Sequence, residues 1–402
     1  MSTTDSLITE ERCAELLTQL IRQRSVTGEK TTAAAWMTDR LREFGMSIDH
    51  YTVEDLPAPM VVGTIAGAGD RPGVLFDGHF DTVFAVPDDW SRDPWGAQRE
   101  GDLIYGRGAV DSKGTVAAML AAIEAVTKSG AAPRGPLYYM SDSDGERAFR
   151  GAALLQDLGI AARCGTVFSA EATSNQRIEI AYPGISTWKI TVIGRTAHPT
   201  EPEKGINAIT KAAKLVEAIA AGRLAFRKGT SDWFEPRVTV NAIRTQPGGG
   251  WSIPARCDCV LSVLSPNGVT LQEVAEDIDA FLRLIEREDG ELRLERKLIP
   301  MGGGRLWLRP AEADPAHPGI AALKTAVKAV TGADATVQHF NGGWVDGAEL
   351  MRAGADGYGS PACLTFGPGD FELAHMVDEH ISVKEVVAAA RVFARATLEL
   401  LT

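Results

Sequence analysis

Three short stretches of the sequence combine histidine and carboxylate side chains at spacings that suit metal chemistry. Residues 77–82 read DGHFDT, residues 106–114 read GRGAVDSKG, and residues 142–146 read DSDGE. Each stretch follows an apolar run and precedes a turn or a helix, and open α/β sheets bind their ligands in the crevice beyond the strand ends. An imidazole and several carboxylates brought together there predict a site for a divalent metal ion of intermediate hardness.

Apolar runs bounded by glycine predict the strands that carry these side chains. Residues 73–76 form a short apolar run that leads to His79, and residues 166–170 form another that leads to Glu171. A helical pattern at 115–129 lies between them in the chain. Because strands and helices alternate in this way, we predict an α/β fold with a mixed, mostly parallel sheet covered by helices on both faces.

The periodicity changes in the middle of the chain. Between residues 184 and 299, strand and helix patterns follow the order strand, helix, strand, strand, helix, strand. This order predicts a compact α+β unit of the ferredoxin-like type, inserted into the larger domain. We therefore predict the first part of the larger domain at 1–183, the inserted domain at 184–299 and the second part of the larger domain at 300–402.

The composition argues against several classes of protein. The chain has 402 residues, of which 45% are hydrophobic and 23% charged, and a formal net charge of −12. A negative charge with scattered Lys and Arg argues against nucleic acid and membrane surfaces as partners. The first residues lack the pattern of a signal peptide, so we expect a cytoplasmic location. The five cysteines are odd in number and lie mostly in apolar segments, so we expect free, buried thiols.

With these motifs, the sequence resembles the zinc aminoacylase and deacylase family, which includes acetylornithine deacetylase, succinyl-diaminopimelate desuccinylase and the glutamate carboxypeptidases. The resemblance covers nearly the whole chain, from the His-x-Asp strand end and the GRGAVDSKG stretch to the Ala-His pair at 374–375. It implies a homodimeric dinuclear metallohydrolase that cleaves an amide or related C–N bond of a small-molecule substrate. The inserted α+β unit is implied to be the dimerisation domain.

The resemblance also implies roles for particular side chains. Asp111 would bridge two divalent metal ions, which are zinc in the family, although cobalt and manganese also suit such ligands. His79 and Glu171 would complete the coordination of one ion, and Glu146 and His375 that of the other.

Further residues are implied to support the chemistry. Asp81 lies two residues beyond His79, on the same side of an extended strand, and would hold the imidazole through its second nitrogen. His198, in the inserted unit, would reach across the dimer and polarise the substrate carbonyl in the other subunit. The loop 341–346 is expected to face the site, with Gly342 and Gly343 in contact with substrate.

One catalytic position departs from the family pattern. Residues 144–146 align with an Asp-Glu-Glu of the family, which places Gly145 where the family has its catalytic glutamate. Loss of a general base lowers the rate by about 10²- to 10⁴-fold. Asp144 is our predicted proton carrier, and Asp142 is another candidate. A reaction that needs no such base, and a loss of catalysis, are the remaining explanations.

Two altered positions bear on the substrate. Trp251 falls on or beside an asparagine of the family, and Val263 and Leu264 occupy the region of the arginine that anchors a substrate carboxylate. Apolar side chains cannot replace an arginine fork, so we predict a less anionic or partly aromatic substrate in contact with Trp251. The alternatives are a metal-retaining, non-catalytic binding protein, which Gly145 favours, and an aminohydrolase acting on an aromatic amine.

Overall fold

The chain folds into two compact units. A computed structural model describes residues 3–230, 233–245, 251–301, 304–339, 345–351 and 360–402. The first unit combines Met1–Ala181 with Ala311–Thr402, and the second unit is Tyr182–Pro310. The second unit is thus inserted into the sequence of the first.

The helices and strands are numbered in chain order across both units. The strands are β1 (Ser47–Tyr51), β2 (Met60–Ile65), β3 (Gly73–Asp77), β4 (Gln98–Glu100), β5 (Leu103–Tyr105), β6 (Leu137–Ser141), β7 (Cys164–Ala170), β8 (Arg177–Tyr182), β9 (Gly184–Ile193), β10 (Arg237–Thr245), β11 (Arg256–Ser265), β12 (Arg293–Ile299), β13 (Trp307–Leu308), β14 (Ala311–Glu312), β15 (Thr336–His339), β16 (Cys363–Phe366) and β17 (His380–Ser382). The helices are α1 (Thr3–Leu7), α2 (Glu10–Arg22), α3 (Ala33–Glu43), α4 (Gly114–Lys128), α5 (Arg150–Asp157), α6 (Ala208–Ala220), α7 (Leu271–Glu288), α8 (Pro318–Thr331), α9 (Asp346–Leu350) and α10 (Val383–Leu401).

The main sheet of the first unit is mixed. Its strand order is β1-β2-β6-β3-β7-β16-β8-β14, and β15 pairs with β8. At the centre, β3 pairs in parallel with β6 and β7, and β16 pairs in parallel with β7. Towards one edge, β1 pairs with β2 and β2 with β6 in antiparallel fashion. The carboxyl ends of the central parallel strands therefore meet at one edge of the sheet.

Helices cover both faces of this sheet. Phe76 of β3 and Phe168 of β7 point to one face, where their ring centroids lie 5.5 and 5.7 Å from that of Phe393 of α10. Ser169 follows Phe168 and points to the other face, since side chains alternate along a strand. There it lies against α9, because a Cβ on Gly347 would come within 2.7 Å of the Ser169 Cβ. The predicted α/β fold with a mixed sheet between helices is confirmed.

The second unit is an antiparallel sheet packed against two helices. Its strand order is β10-β11-β9-β12, and β13 also pairs with β9. The elements follow the chain order β9, α6, β10, β11, α7, β12, which is the βαββαβ order of the ferredoxin-like fold. Alternate residues of β11 form the core with the apolar faces of α6 and α7; they are Cys257, Cys259, Leu261 and Val263. The predicted α+β character of the inserted unit is confirmed.

Sequence patterns do not reveal every strand. The segment 83–101 reads as an irregular loop, yet its end forms β4, which pairs with β5. All the side chains of β4 are exposed, so no alternation of apolar and polar residues marks it. The sheet of the second unit also continues past residue 299, because β13 pairs with β9. Such short strands are defined by their backbone partners rather than by their own side chains.

The cysteines agree with the expectation from the sequence. All five cysteines are buried, and none forms a disulfide, as predicted for free thiols. Among the helices that the structure describes, none has both the length and the apolar character needed to cross a membrane.

The aromatic contacts beneath the main sheet predict a large effect of truncation. Phe393 is 0% exposed and packs edge-on against Phe76 and Phe366 at 5.5 Å. We expect Phe393→Ala to lower the free energy of unfolding of the first unit by about 3–5 kcal/mol, measured by urea denaturation. Phe84→Ala is the matched control, because Phe84 is 59% exposed. Equal effects of the two substitutions would contradict the assigned core.

Candidate metal centre

His79 lies immediately beyond β3, at the edge where the central strands end. It is 6% exposed. Gly78 allows the chain to pass close to its neighbours there, because a Cβ on Gly78 would lie 2.9 Å from Val116 Cγ2 and 3.1 Å from Ala170 Cβ. The strand end is thus enclosed by the first turn of α4 and the last residue of β7, and it carries the imidazole into the interior.

Asp81 holds the imidazole of His79 in place. Its Oδ1 lies 3.3 Å from His79 Nδ1, and its backbone oxygen lies 3.0 Å from the same nitrogen. The carboxylate also accepts hydrogen bonds from the backbone N–H groups of Gly145 at 3.0 Å and Glu146 at 3.4 Å. Thr27 donates its hydroxyl to Asp81 Oδ2 at 2.8 Å. Asp81 therefore orients one ligand and attaches the loop that carries another.

Asp111 lies between two imidazoles. His79 Nε2 is 3.5 Å from its Oδ1, and His375 Nε2 is 3.1 Å from its Oδ2. His375 Nε2 also lies 3.3 Å from Glu146 Oε1. The Asp111 carboxylate thus connects the His79 side of the site to the side formed by Glu146 and His375.

A buried carboxylate that the motifs do not single out, Glu379, holds the loop of Asp111. It accepts backbone N–H groups from Gly108, Val110 and Asp111 at 3.1, 2.7 and 3.1 Å. Arg107 Nη1 lies 2.6 Å from its Oε2. Burial raises the pKa of Glu379, although these hydrogen bonds and Arg107 oppose the shift. The available sequence signal was the acidic pair that follows the Ala-His motif.

Two groups of potential metal ligands result. One consists of His79, Asp111 and Glu171, and the other consists of Asp111, Glu146 and His375. Within each group the ligand atoms lie within 4.8 Å of one another, and Asp111 belongs to both. The structure thus brings all five predicted ligands together.

The donor atoms fit a metal ion. Asp111 Oδ1 and Glu171 Oε2 are buried without a hydrogen-bond partner. A buried acceptor without a partner costs about 1–3 kcal/mol, and a divalent cation next to these oxygens would remove that cost. Two imidazoles and three carboxylates suit zinc, cobalt or manganese.

The electrostatics of the site also favour added positive charge. Burial raises the pKa of Glu171 well above its usual range, and the charge of Asp111 adds to this. Burial likewise raises the pKa of Glu146, and the hydrogen bond from His375 only partly offsets the shift. Hydrogen bonds to Asp111 and Glu146 raise the pKa of His375 to about 10. The carboxylates crowd one another in a region with little solvent, and nearby cations relieve this crowding.

A cavity of about 170 Å³ lies over both ligand groups. Besides the five potential ligands, its lining includes Gly145, Phe149, Val345, Asp346 and Phe371. Phe149 and Phe371 provide apolar surface beside the polar centre. Asp346 ends the loop 341–346 that was expected to face the site, although no role was assigned to it from the sequence.

Asp144 is not positioned for the proton transfer predicted from the sequence. Arg150 binds both of its oxygens, with Nε 2.8 Å from Oδ2 and Nη2 2.9 Å from Oδ1. The Arg150 backbone N–H also donates to Oδ2, at 3.1 Å. Asp144 does not line the cavity and instead fixes the first turn of α5. Both oxygens of Asp144 are thus engaged by Arg150 outside the cavity, which corrects this prediction.

The remaining predicted site residues lie elsewhere. His198 is an exposed residue of the second unit, and its Nδ1 lies 2.7 Å from Thr200 Oγ1. Trp251 belongs to the same unit and is 84% exposed. Gly342 and Gly343 fall outside the described residues. The roles assigned to these four residues stay predictions.

Curated proteins of similar sequence span nearly the whole chain. The chain is 26% identical to an N-formyl-4-amino-5-aminomethyl-2-methylpyrimidine deformylase of Bacillus subtilis over 387 residues, covering 89% of this chain and 86% of that protein. It is also 26% identical to a succinyl-diaminopimelate desuccinylase of Alkalilimnicola ehrlichii over 388 residues, covering 94% of this chain and 96% of that protein.

Solved structures share the fold. The aminopeptidase PepT of Bacillus cereus matches with a TM-score of 0.75 at 19% identity, covering 98% of this chain and 99% of that one. The YXEP protein of Bacillus subtilis, described as a dinuclear metal binding peptidase of the M20 family, matches with a TM-score of 0.71 at 14% identity, covering 98% of each chain.

The family model Peptidase family M20/M25/M40 matches residues 75–399, which include all five potential metal ligands. The matched range contains both the GRGAVDSKG stretch and the closing Ala-His pair, in the order found in the family that the sequence resembles. The chain therefore belongs to the peptidase family M20/M25/M40, and it is a hydrolase of C–N bonds.

Proposed function

We propose that the protein is a dinuclear metal-dependent deacylase that cleaves the amide bond of a small, partly aromatic or apolar substrate. The observation that carries this proposal is the pair of ligand groups that share Asp111. Hydrolases with two metal ions place them about 3.5–4 Å apart, which one shared carboxylate can span. Zinc is the proposed metal, and cobalt and manganese suit the same ligands.

Each ligand has its own task in this proposal. His79 and Glu171 would hold one ion, Glu146 and His375 the other, and Asp111 both. When bound, such ions polarise the scissile carbonyl and activate a water molecule near neutral pH. The backbone N–H of Val83 donates to Glu146 Oε1 at 3.2 Å, and it therefore helps to orient that carboxylate.

We also propose a homodimer formed through the inserted domain, residues 184–299. The sheet of the second unit has β10 as an edge strand with exposed and half-buried side chains, and such edges can pair with another chain. In this dimer, His198 of one subunit would donate a hydrogen bond to the substrate carbonyl in the other.

The lining of the cavity supports an apolar or aromatic substrate. Phe149 and Phe371 line it, and they can pack against a ring. Val263, in the region where the family has its carboxylate anchor, is fully buried in the core of the second unit. One relative is named for the deformylation of an aminomethylpyrimidine. We therefore propose a small acyl group on an uncharged or aromatic amine as the substrate class.

A reducing compartment suits the cysteines. All five are buried thiols outside disulfides, which is typical of proteins kept in the cytoplasm. We therefore propose a cytoplasmic location.

The glycine at the position of the usual catalytic glutamate is required by its surroundings. A Cβ on Gly145 would lie 2.2 Å from His79 Cγ and 2.4 Å from His79 Cδ2. Real side chains do not approach so closely, so any residue other than glycine would displace the imidazole. Introducing a glutamate here would therefore disturb a metal ligand rather than restore a base.

Metal content tests the sharing of Asp111. We expect two divalent ions per chain in metal-replete buffer, about one in Glu171→Gln, and none in Asp111→Asn, because only Asp111 belongs to both ligand groups. Elemental analysis of purified protein measures this. Asp258→Asn is the control, since Asp258 lies in the second unit beside Thr191 and Lys189. Retention of both ions by Asp111→Asn would refute the shared ligand.

The packing of Gly145 on His79 predicts a second effect on the metal. We expect Gly145→Ala to weaken the binding of the ion held by His79 by about tenfold or more, because loss of a ligand's support costs 10- to 100-fold in metal affinity. Competition with a chelator measures the affinity. Gly290→Ala is the control, because a Cβ on Gly290 meets nothing within 4 Å. Identical affinities in both variants would show that the loop does not support His79.

A panel of matched amides tests the substrate class. We expect the zinc-loaded protein to hydrolyse N-formylbenzylamine with a kcat/KM about tenfold or more above that for N-formylglycine, because apolar contacts contribute about 1–3 kcal/mol of discrimination. Steady-state release of the amine measures this. A preference for the anionic amide would reject the proposed substrate class. Full metal content without hydrolysis would favour the binding-protein alternative, and release of ammonia from aromatic amines would favour an aminohydrolase.

A further inference from the structure

An acidic side chain of the cavity, Asp346, lies outside both ligand groups. It is the first residue of α9, and together with Val345 it lines the same cavity as His79. Asp346 is 4% exposed, and its Oδ1 has no hydrogen-bond partner among the described residues. A buried acceptor that lacks a hydrogen-bond partner costs about 1–3 kcal/mol, so we expect a functional reason for the burial of this oxygen.

The other carboxylates that line the cavity already have tasks, and Asp142, the second candidate from the sequence, does not line it. Among the described residues, the further carboxylates that line it are Asp111, Glu146 and Glu171, which all belong to the ligand groups. Asp144 is held in its bidentate ion pair and does not line the cavity. Asp346 is therefore the lining carboxylate left for proton transfer in the part of the chain that the structure describes.

The position of Gly145 explains why the proton acceptor must come from another part of the fold. Gly145 lines the cavity, but its backbone lies so close to His79 that no side chain fits there. A proton acceptor must then come from a different part of the chain. Asp346 meets this requirement, because α9 brings it to the same cavity from beyond β15, about two hundred residues later in the sequence.

We propose that Asp346 carries the proton during amide hydrolysis, an inference that rests on the proposed deacylase function. Its carboxylate accepts one proton from the water molecule that attacks the carbonyl carbon. The C–N bond then breaks with its electron pair left on nitrogen, and Asp346 returns the proton to that nitrogen. The hydroxyl of the water ends on the acyl carbon, so the products are a carboxylic acid and an amine.

The surroundings of Asp346 suit a group that must both accept and return a proton. Burial raises the pKa of Asp346 well above its usual range, and the charge of Asp142 adds to this. Asp77 and Asp81 act in the same direction on this pKa, and His79 opposes them. The titratable groups on the elements packed against α9 are Arg150 and Asp157 on α5, Cys164 on β7 and Cys363 on β16.

The test is the isosteric variant Asp346→Asn, which keeps the shape of the side chain but cannot accept a proton. We expect its kcat on N-formylbenzylamine to fall about 10²- to 10⁴-fold while both metal ions stay bound. The wild-type kcat should fall as the pH falls, because a base must be unprotonated to act. This acidic limb should be absent from the variant. Kinetics across a pH series and elemental analysis measure these quantities.

Glu349→Gln is the matched control, because Glu349 is a buried carboxylate of the same helix that does not line the cavity. We expect it to keep the wild-type kcat and pH profile. A second variant, Asp346→Ala, should regain part of its kcat with added acetate and none with chloride, because acetate has the structure of the missing side chain. If Asp346→Asn fails to fold, the acetate rescue of Asp346→Ala tests the role of Asp346.

The possible negative results distinguish the proposed role of Asp346 from the proposed deacylase function. An unchanged kcat in Asp346→Asn, loss of a metal ion from it, or no rescue of Asp346→Ala by acetate would each overturn the role of Asp346. None of these results would affect the proposed deacylase function, since the wild-type protein would still hydrolyse the amide. Absence of hydrolysis by the wild-type protein with both ions bound would overturn both proposals.

Discussion

The carboxylate of Asp111, which lies between the imidazoles of His79 and His375, is the interaction on which the rest of the site depends. It is the member common to both groups of potential ligands. The histidines come from the two separate sequence segments of the first unit, one after β3 and the other shortly before α10. Because like charges repel strongly where solvent is scarce, positive charge among the three carboxylates stabilises them at these short distances. The site is therefore built for cations.

Two further carboxylates, which are outside both ligand groups, hold the potential metal ligands in place. Asp81 binds the outer nitrogen of His79 and the backbone of the 145–146 loop. Glu379 accepts hydrogen bonds from three backbone N–H groups of the Asp111 loop and is itself paired with Arg107. Such supporting contacts fix the direction of a ligand's lone pairs, which decides how well it holds a metal. Both acids are buried, so their hydrogen bonds replace the water that they lose.

The loop after β6 carries two residues whose contacts limit what they can do in the site. Gly145 lies against the ring of His79, so no side chain fits at this position. Its neighbour Asp144 is engaged by Arg150 and stabilises the start of α5. A carboxylate from a distant helix, Asp346, lines the cavity instead. The same cavity has Phe149 and Phe371 in its wall, which favours an apolar group beside the reacting bond.

The α/β fold and the inserted α+β unit could be predicted from sequence patterns, and the set of five potential ligands from the resemblance to the deacylase family. The fold follows from local patterns of apolar residues, and side chains at the ends of parallel strands meet at one sheet edge. The contact of Gly145 with His79, the ion pair of Asp144 with Arg150, and the positions of Glu379 and Asp346 are visible only in the three-dimensional structure. Each depends on the direction of a side chain or on the distance between residues far apart in the chain. Periodicity and motif spacing carry no information about either quantity.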